Sequence, residues 1–414
     1  MKRTKNLYQK INNIDNIIYI YKKQVRVNTK NKNRIESFED FFIEQISTIK
    51  EMINNKEIHF NKYSVFLIKI PKYRIIMRQS IRDKVINQLV AKYILVNALD
   101  KRLIDSNVAT RIEKGTHYGI NLTKRYINEE KNISRNFYIL KCDITKYFYN
   151  INHNILINKL KKVIKDNDAL NIVERILNST NEEYINKKIN KLKEREISRY
   201  PNKKEEINKL PIYMNGKGLP IGNTTSQILA IFYLNDLDHY IKEKLKIKHY
   251  IRYMDDIILI HQDKDYLRSC FKIIEEKLNN EFDLTLNKKS KIINIKNGLD
   301  FLGFRFILNK KGKLILKVRN DTKKRLKKKI KKAIKNKDNK KMKVLKASYM
   351  GHLSFGNCRD LINKVLAFKN VDIRDETNSS NSWNVRNVNN NGNANNNNAY
   401  NSYGVRPTLI ETDE

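Results

Sequence analysis

Two adjacent aspartates, Asp255 and Asp256, stand in the middle of an apolar, β-branched run, IRYMDDIILI. Such a run reads as a buried strand or hairpin, where an ionised carboxylate is costly unless a cation pairs with it. Two readings follow: an Asp pair exposed at a hairpin tip, or carboxylates that face a divalent metal. A third carboxylate favours the metal. Asp143 closes the apolar strand of YILKCDITKYFYNI and is followed at once by a turn. Two antiparallel strands ending in these residues would gather three acidic groups, a set suited to two Mg²⁺ ions roughly 3.5–4 Å apart. The chemistry that fits is nucleotidyl transfer, in which the metals activate a 3′-hydroxyl and neutralise a triphosphate, so no side chain needs to be the nucleophile.

Those carboxylates need elements to carry them. Between them lies GKGLPIGNTTSQILAIFYLNDLDHYI. Gly218, Pro220 and Gly222 make a tight segment that opens a helix near Thr225, with Asn223, Thr224, Ser226 and Gln227 presenting polar groups. Glycines before a helix predict close approach of a nucleotide or template strand. Upstream, KIPKYRIIMRQSIRDKVINQLVAKYILVNAL predicts a proline-broken basic strand that runs into a long amphipathic helix, and NVATRIEKGTHYGI a basic loop before another helix. Residues 160–209, dominated by Lys, Asn and Glu, predict exposed helices inserted into a domain.

Composition bounds the partner. Lys and Arg number 84 against 44 Asp and Glu, a net charge of +40 in 414 residues. That sign and size attract phosphate backbones, although abundant Lys, Ile and Asn with scarce Gly and Pro also carry the imprint of an AT-rich coding sequence. The 40% hydrophobic content supports real cores. Cys142, Cys270 and Cys358 lie far apart without CxxC pairing, which indicates neither a zinc site nor a disulfide framework. No apolar run reaches membrane-spanning length and no signal-peptide pattern opens the chain, so a cytoplasmic protein with no membrane partner is expected.

The order of these segments resembles the reverse transcriptases over roughly residues 69–306. YRIIMRQSIRDKVINQLV and SNVATRIEKGTHYGI look like the two fingers blocks of that family, Asp143 like the first palm aspartate, YMDD like its catalytic hairpin, and FLGF at Phe301–Phe304 like its primer grip. The resemblance implies an α+β right-hand polymerase fold with fingers, an antiparallel palm and a helical thumb. It implies metal ligation by Asp143, Asp255 and Asp256, with Mg²⁺ as cofactor and Mn²⁺ as the alternative. It implies triphosphate contacts from Lys72 and Arg74, a steric gate against the ribose 2′-hydroxyl at Phe148, and nucleotide contacts from Ile221, Gly222 and Gln227. Lys288 or Lys289 would assist the leaving pyrophosphate, and Phe301, Leu302, Gly303 and Phe304 would form the primer grip.

Within the family, GLPIGNTTSQ is similar to the enzymes of diversity-generating retroelements, where more accurate relatives read PQG. This implies copying of a template-repeat RNA into cDNA with errors at adenines, from a DNA primer and dNTPs, beside a small basic helical accessory variability protein. Ile221 stands where the accurate relatives carry glutamine. A retron or phage-defence reverse transcriptase is the alternative class, and a non-catalytic RNA-binding scaffold the alternative outside enzymes. The expected organisation is an N-terminal helical extension over 1–60, fingers and palm over 61–308, a basic helical thumb over 309–370 containing KKRLKKKIKKAIKN, and an Asn-rich tail over 371–414. That tail reads as disordered low-complexity sequence, as the variable end of a lectin-like target, or as a template repeat translated in frame; the last is preferred, because its Asn codons are rich in adenine.

Overall fold

The structure is a computed structural model that describes residues 2–69 and 72–366; the Asn-rich tail lies outside the described residues. Its central sheet has the strand order β4-β5-β3-β6, built from β3 (Tyr138–Cys142), β4 (His249–Tyr253), β5 (Asp256–His261) and β6 (Lys291–Asn294), each antiparallel to its neighbour. These strands read as continuous apolar runs because both faces of the sheet are covered. Side chains alternate across a strand, and the alternation divides them between two cores. Leu140, Cys142, Ile257 and Leu259 enter one, with Leu267 and Ile274 of the helix Lys264–Phe282. Ile139, Ile251, Ile258 and Ile260 enter the other, with Ile120 and Ile127 of the helix Thr116–Ile133.

The first core extends well beyond the sheet. Leu7, Ile17, Ile49 and Ile53 of the N-terminal helices pack in it with Val85 and Ile94, from the continuous helical segment that begins at Ile81. The first 60 residues, expected as an N-terminal helical extension, thus pack in the same core as the central sheet. The expected helical insertion also buries apolar residues. Within residues 160–209 the helix Asn167–Asn178 buries Ala169, Leu170, Ile172, Val173, Ile176 and Leu177 on one face. A handful of apolar residues at helical spacing is enough to anchor a helix whose average composition is polar. The helix Glu183–Arg199 lays Ile185 and Ile189 against the hairpin of β1 (Ser64–Ile68) and β2 (Arg74–Arg78), forming a third, smaller core.

After β6 the chain forms a three-stranded antiparallel sheet of β7 (Leu299–Phe301), β8 (Phe304–Leu308) and β9 (Leu314–Val318). The basic segment then folds as the helices Asn320–Lys335, Asn339–Leu353 and Arg359–Leu366. Leu326, Ile330 and Leu353 join Phe304, Phe306 and Leu316 in the second core, which leaves the lysines of Asn320–Lys335 on the outer face. Among the described residues no helix is long and apolar enough to cross a membrane.

Candidate active site

Register alone brings two of the three carboxylates together. Cys142 pairs with Ile257, so one step further along the antiparallel ladder Asp143 stands opposite Asp256. Tyr253 pairs with Asp256 across β4 and β5, which leaves Met254 and Asp255 as a two-residue turn. Met254 takes a φ of +56°, the left-handed region such turns favour at their first central position and which a non-glycine residue enters at a cost. The carbonyl of that strained residue accepts a hydrogen bond from Arg252 Nη1 at 3.0 Å.

Arg252 has no counterpart among the residues singled out from sequence. It is fully buried and forms a two-pronged pair with the equally buried Asp238 of the helix Asn235–Glu243, Nε to Oδ1 and Nη2 to Oδ2, each 2.6 Å. Its Nη2 also donates to the Ile231 carbonyl at 2.6 Å, and Tyr250 donates to Asp238 Oδ1 at 2.5 Å. The hairpin turn is thus tied to two helices behind it through one guanidinium. The available signal was a charged residue in each of two apolar settings, Arg252 between Ile251 and Tyr253 and Asp238 after Leu237.

The carboxylates on the turn are electrostatically opposed. Burial, then Asp256 and Asp143, push the Asp255 carboxyl up to about 7 against the pull of its own backbone N–H and Arg74. Burial and Asp256 also raise Asp143 above its ordinary value, while Lys141, Lys72 and Lys289 draw it back. Lys72, Arg74 and Lys289, all assigned from the motifs, therefore face the acidic cluster. Lys288 sits beside Lys289 in the same exposed turn. That turn is sewn to Asp143: Ser290 Oγ accepts from the Asp143 N–H at 3.1 Å, and the Asn287 N–H donates to the Asp143 carbonyl at 2.7 Å. Lys141 was not anticipated; its Nζ lies 3.3 Å from Asp256 Oδ1.

Phe148, half-buried, lies on the short helix Tyr147–Asn150 that follows Asp143, and its carbonyl accepts from the Leu219 N–H at 2.7 Å. This docks the glycine-containing loop beside the first aspartate. At both expected glycines the side that a Cβ would occupy is filled by protein. A Cβ at Gly218, where φ is +97°, would meet the Tyr213 ring at 2.7 Å, and one at Gly222, where φ is +129°, would meet the Met77 carbonyl at 2.6 Å. Gly222 thus lets the loop lie against β2, and the Met77 N–H donates to the Ile221 carbonyl at 2.8 Å. Ile221 is half-buried against the third core. Gln227, on the helix Thr224–Tyr233, is half-buried.

The FLGF hairpin divides between core and turn. Phe301 and Phe304 are core residues, 1% and 0% exposed, so any contact made here comes from the turn. Leu302 and Gly303 form that turn with φ of +47° and +86°. A Cβ on Gly119 would lie 2.7 Å from Leu302, and one on Gly303 would lie 3.1 Å from the His352 ring, so the turn packs between the helices Thr116–Ile133 and Asn339–Leu353.

Among the described residues no group of three or more carboxylate, imidazole or thiol side chains is gathered closely enough to hold a metal ion as it stands. The donor set nevertheless suits a hard divalent cation: Asp143, Asp255 and Asp256 offer only oxygen ligands, and burial first, then repulsion between the carboxylates, raises Asp143 and Asp255, both of which a bound cation would offset. The model of the family described as reverse transcriptase (RNA-dependent DNA polymerase) matches residues 53–306. The chain belongs to the reverse transcriptase family. Reverse transcriptase domains use divalent metal ions, in keeping with this donor set. The family match covers the carboxylate cluster, the glycine-containing loop and most of the FLGF hairpin, and stops before the basic helices.

No curated protein matches the chain. Among solved structures it is similar to apo telomerase from Candida tropicalis truncated from its C-terminal domain, at 15% identity and a TM-score of 0.44, over 63% of this chain and 55% of that one. It is also similar to telomerase from Candida albicans in complex with a TWJ fragment of telomeric RNA, at 15% identity and a TM-score of 0.41, over 64% and 48%. The chain spans about half the length of these proteins.

Proposed function

We propose that this member of the reverse transcriptase family is an RNA-directed DNA polymerase of the diversity-generating retroelement class. The observation that carries the polymerase reading is the meeting of Asp143, Asp255 and Asp256 at one end of the central sheet, faced by Lys72, Arg74 and Lys289. Acidic groups that repel one another beside basic side chains are what a metal-bound triphosphate would satisfy. On this reading the central sheet is the palm, the β1-β2 hairpin belongs to the fingers, and the helices after Arg319 form the thumb.

Asp143, Asp255 and Asp256 would hold the divalent ions, with Mg²⁺ preferred and Mn²⁺ the alternative. When bound, such ions acidify a primer 3′-hydroxyl and stabilise charge on the transferring phosphate. The chain's own residues then have three tasks. Lys72 and Arg74 orient the triphosphate, and Lys289 or Lys288 balances charge on the departing pyrophosphate. Phe148 bounds the sugar and rejects a 2′-hydroxyl by shape. The loop carrying Ile221 and Gly222, with Gln227 behind it, bounds the base and sugar, while Leu302 and Gly303 support the primer. The outer lysines of Asn320–Lys335 would hold template and primer phosphates.

The retroelement class rests on LPIGNTTSQ and on the Asn-rich sequence of 371–414, read as a translated template repeat. It brings template-repeat RNA, a DNA primer, dNTPs and a small basic accessory protein as partners, in the cytoplasm. Isoleucine at 221 offers shape alone where glutamine would offer hydrogen bonds. Ile221→Gln is accordingly expected to lower misincorporation opposite template adenines; an unchanged adenine error rate removes that role.

Primer extension on an RNA template with Mg²⁺, all four dNTPs and sequencing of the cDNA tests the whole reading. Metal-dependent synthesis with errors concentrated at adenines supports both parts. Accurate synthesis keeps the polymerase and moves the class to a retron or defence enzyme. Absence of synthesis even with the accessory protein and its cognate RNA points to a scaffold.

A further inference from the structure

The loop that carries Ile221 and Gly222 is held from beneath by a tyrosine that lies outside every role assigned above. Tyr63, immediately before β1, is 3% exposed. Asn223 Nδ2 donates to its hydroxyl oxygen at 2.9 Å, and that hydroxyl lies 3.1 Å from Ser179 Oγ. Ser179 already donates its only hydroxyl hydrogen to the Ile176 carbonyl at 2.6 Å, so towards Tyr63 it acts as acceptor. The protons of the relay therefore run one way, from the Asn223 amide to Tyr63, from Tyr63 to Ser179, and from Ser179 to the Ile176 backbone. The relay also fixes which way the amide points, since a flipped Asn223 would set its oxygen against an oxygen with no hydrogen left to give.

Asn223 is used unusually. It immediately precedes the helix Thr224–Tyr233, where an Asn side chain ordinarily bonds the first turn, yet it makes no capping bond. Its Oδ1 is buried without a hydrogen-bond partner, so the bond to Tyr63 is what orients the amide. Other contacts also hold the loop, among them the Met77 N–H on the Ile221 carbonyl at 2.8 Å, the Tyr213 hydroxyl donating to the Leu219 carbonyl at 3.2 Å, Ser226 Oγ donating to the Pro220 carbonyl at 2.8 Å, and the packing of Ile221 in the core that Tyr63 shares with Met77 and Tyr213.

We infer that Tyr63 is a positioning residue for nucleotide selection: through Asn223 it fixes the Ile221–Gly222 backbone against β2, the strand that bears Arg74. This rests on the polymerase reading above. Tyr63→Phe keeps the ring and removes only the relay, and Ser179→Ala removes its far end. Tyr184→Phe is the control, since Tyr184 Oη accepts from the Tyr63 backbone N–H at 2.7 Å and is no part of the Asn223–Tyr63–Ser179 relay.

The experiment measures kcat, KM for dNTP, KM for template-primer, misincorporation and Tm for the full chain with its RNA and accessory protein. Tyr63→Phe is expected to raise the dNTP KM on the order of three- to tenfold, the equivalent of one hydrogen bond. The misincorporation spectrum should change with it, while the template-primer KM stays within twofold. Ser179→Ala should shift the same two quantities by less, and serves alone if Tyr63→Phe does not fold. Tyr184→Phe should lower Tm only. If Tyr63→Phe and Ser179→Ala behave like Tyr184→Phe, the positioning role is overturned while the polymerase stands. If the unaltered protein makes no cDNA, the polymerase reading fails and takes this inference with it.

Discussion

Asp255 and Asp238 are the same residue on neighbouring elements, both drawn away from bulk water, in opposite surroundings. Asp238 receives two bonds from Arg252 and one from Tyr250. Asp255 faces two like charges, Asp256 and Asp143. Burial therefore does not mark a functional carboxylate; the absence of a matched partner does. The two are also mechanically linked, since the arginine that neutralises Asp238 holds the Met254 carbonyl of the turn on which Asp255 is displayed. The paired carboxylate supports the unpaired one.

The sharpest way to break this comparison is to remove each charge in turn. Asp255→Asn is expected to cut synthesis on the order of 10³-fold or more, because it deletes a ligand for the metals that stabilise the transferring phosphate. Its Tm at pH 8 in chelator should equal or exceed that of the unaltered protein, since a repulsion has gone. A large fall in Tm would mean that Asp255 is structural.

Asp238→Leu should do the reverse and destabilise the fold by about 3–5 kcal/mol in urea titration, by stranding the Arg252 charge. Adding Arg252→Met should recover most of that loss. Without such recovery, the stability comes from the individual bonds to Tyr250 and the Ile231 carbonyl, and the ion pair contributes little. Gly222→Ala tests the loop behind the site. Its Cβ has no room beside Met77, and its φ of +129° disfavours any side chain, so a loss of about 1–3 kcal/mol is expected with a raised dNTP KM.

A last test is the pH dependence of the metal-free protein. A carboxyl raised to about 7 in the fold from 3.8 when unfolded keeps its proton longer in the native state. Stability from this group is present at low pH and is lost as pH rises from about 4 through 7. The difference in Tm between Asp255→Asn and the unaltered protein in chelator should widen over that interval; parallel curves would place Asp255 in water.

Much of the site was legible because its requirements are local. YMDD stands between two β-branched runs with no other turn available, so a hairpin with carboxylates at its tip follows from spacing. Lys72, Arg74 and Lys289, expected from the resemblance, lie close enough to lower the carboxyls of the cluster, Lys72 and Lys289 acting on Asp143 and Arg74 on Asp255. The features not legible there share a cause, since each concerns a surface whose covering comes from a distant part of the chain. Phe301 and Phe304 are covered by the helices after Arg319, which the FLGF motif does not announce. The tight contacts of Gly218 with Tyr213 and of Gly222 with β2 are likewise made by residues far from the loop in sequence. Residues 160–209 look solvated because composition averages over a helix, whereas packing uses one face of it.

By itself the sequence determined the family, the strands that end in acid, and the hairpin that presents it, because alternation and turn chemistry act within a few residues. Only the tertiary structure decided which carboxylates are neutralised and which are left in conflict. That depends on register, which sets Asp143 opposite Asp256, and on a helix that brings Asp238 to Arg252. The energy of a buried charge is set by whatever lies within a few ångströms of it, and in this chain those neighbours range from the adjacent residue, as Asp256 is to Asp255, to one more than 100 positions away, as Asp143 is.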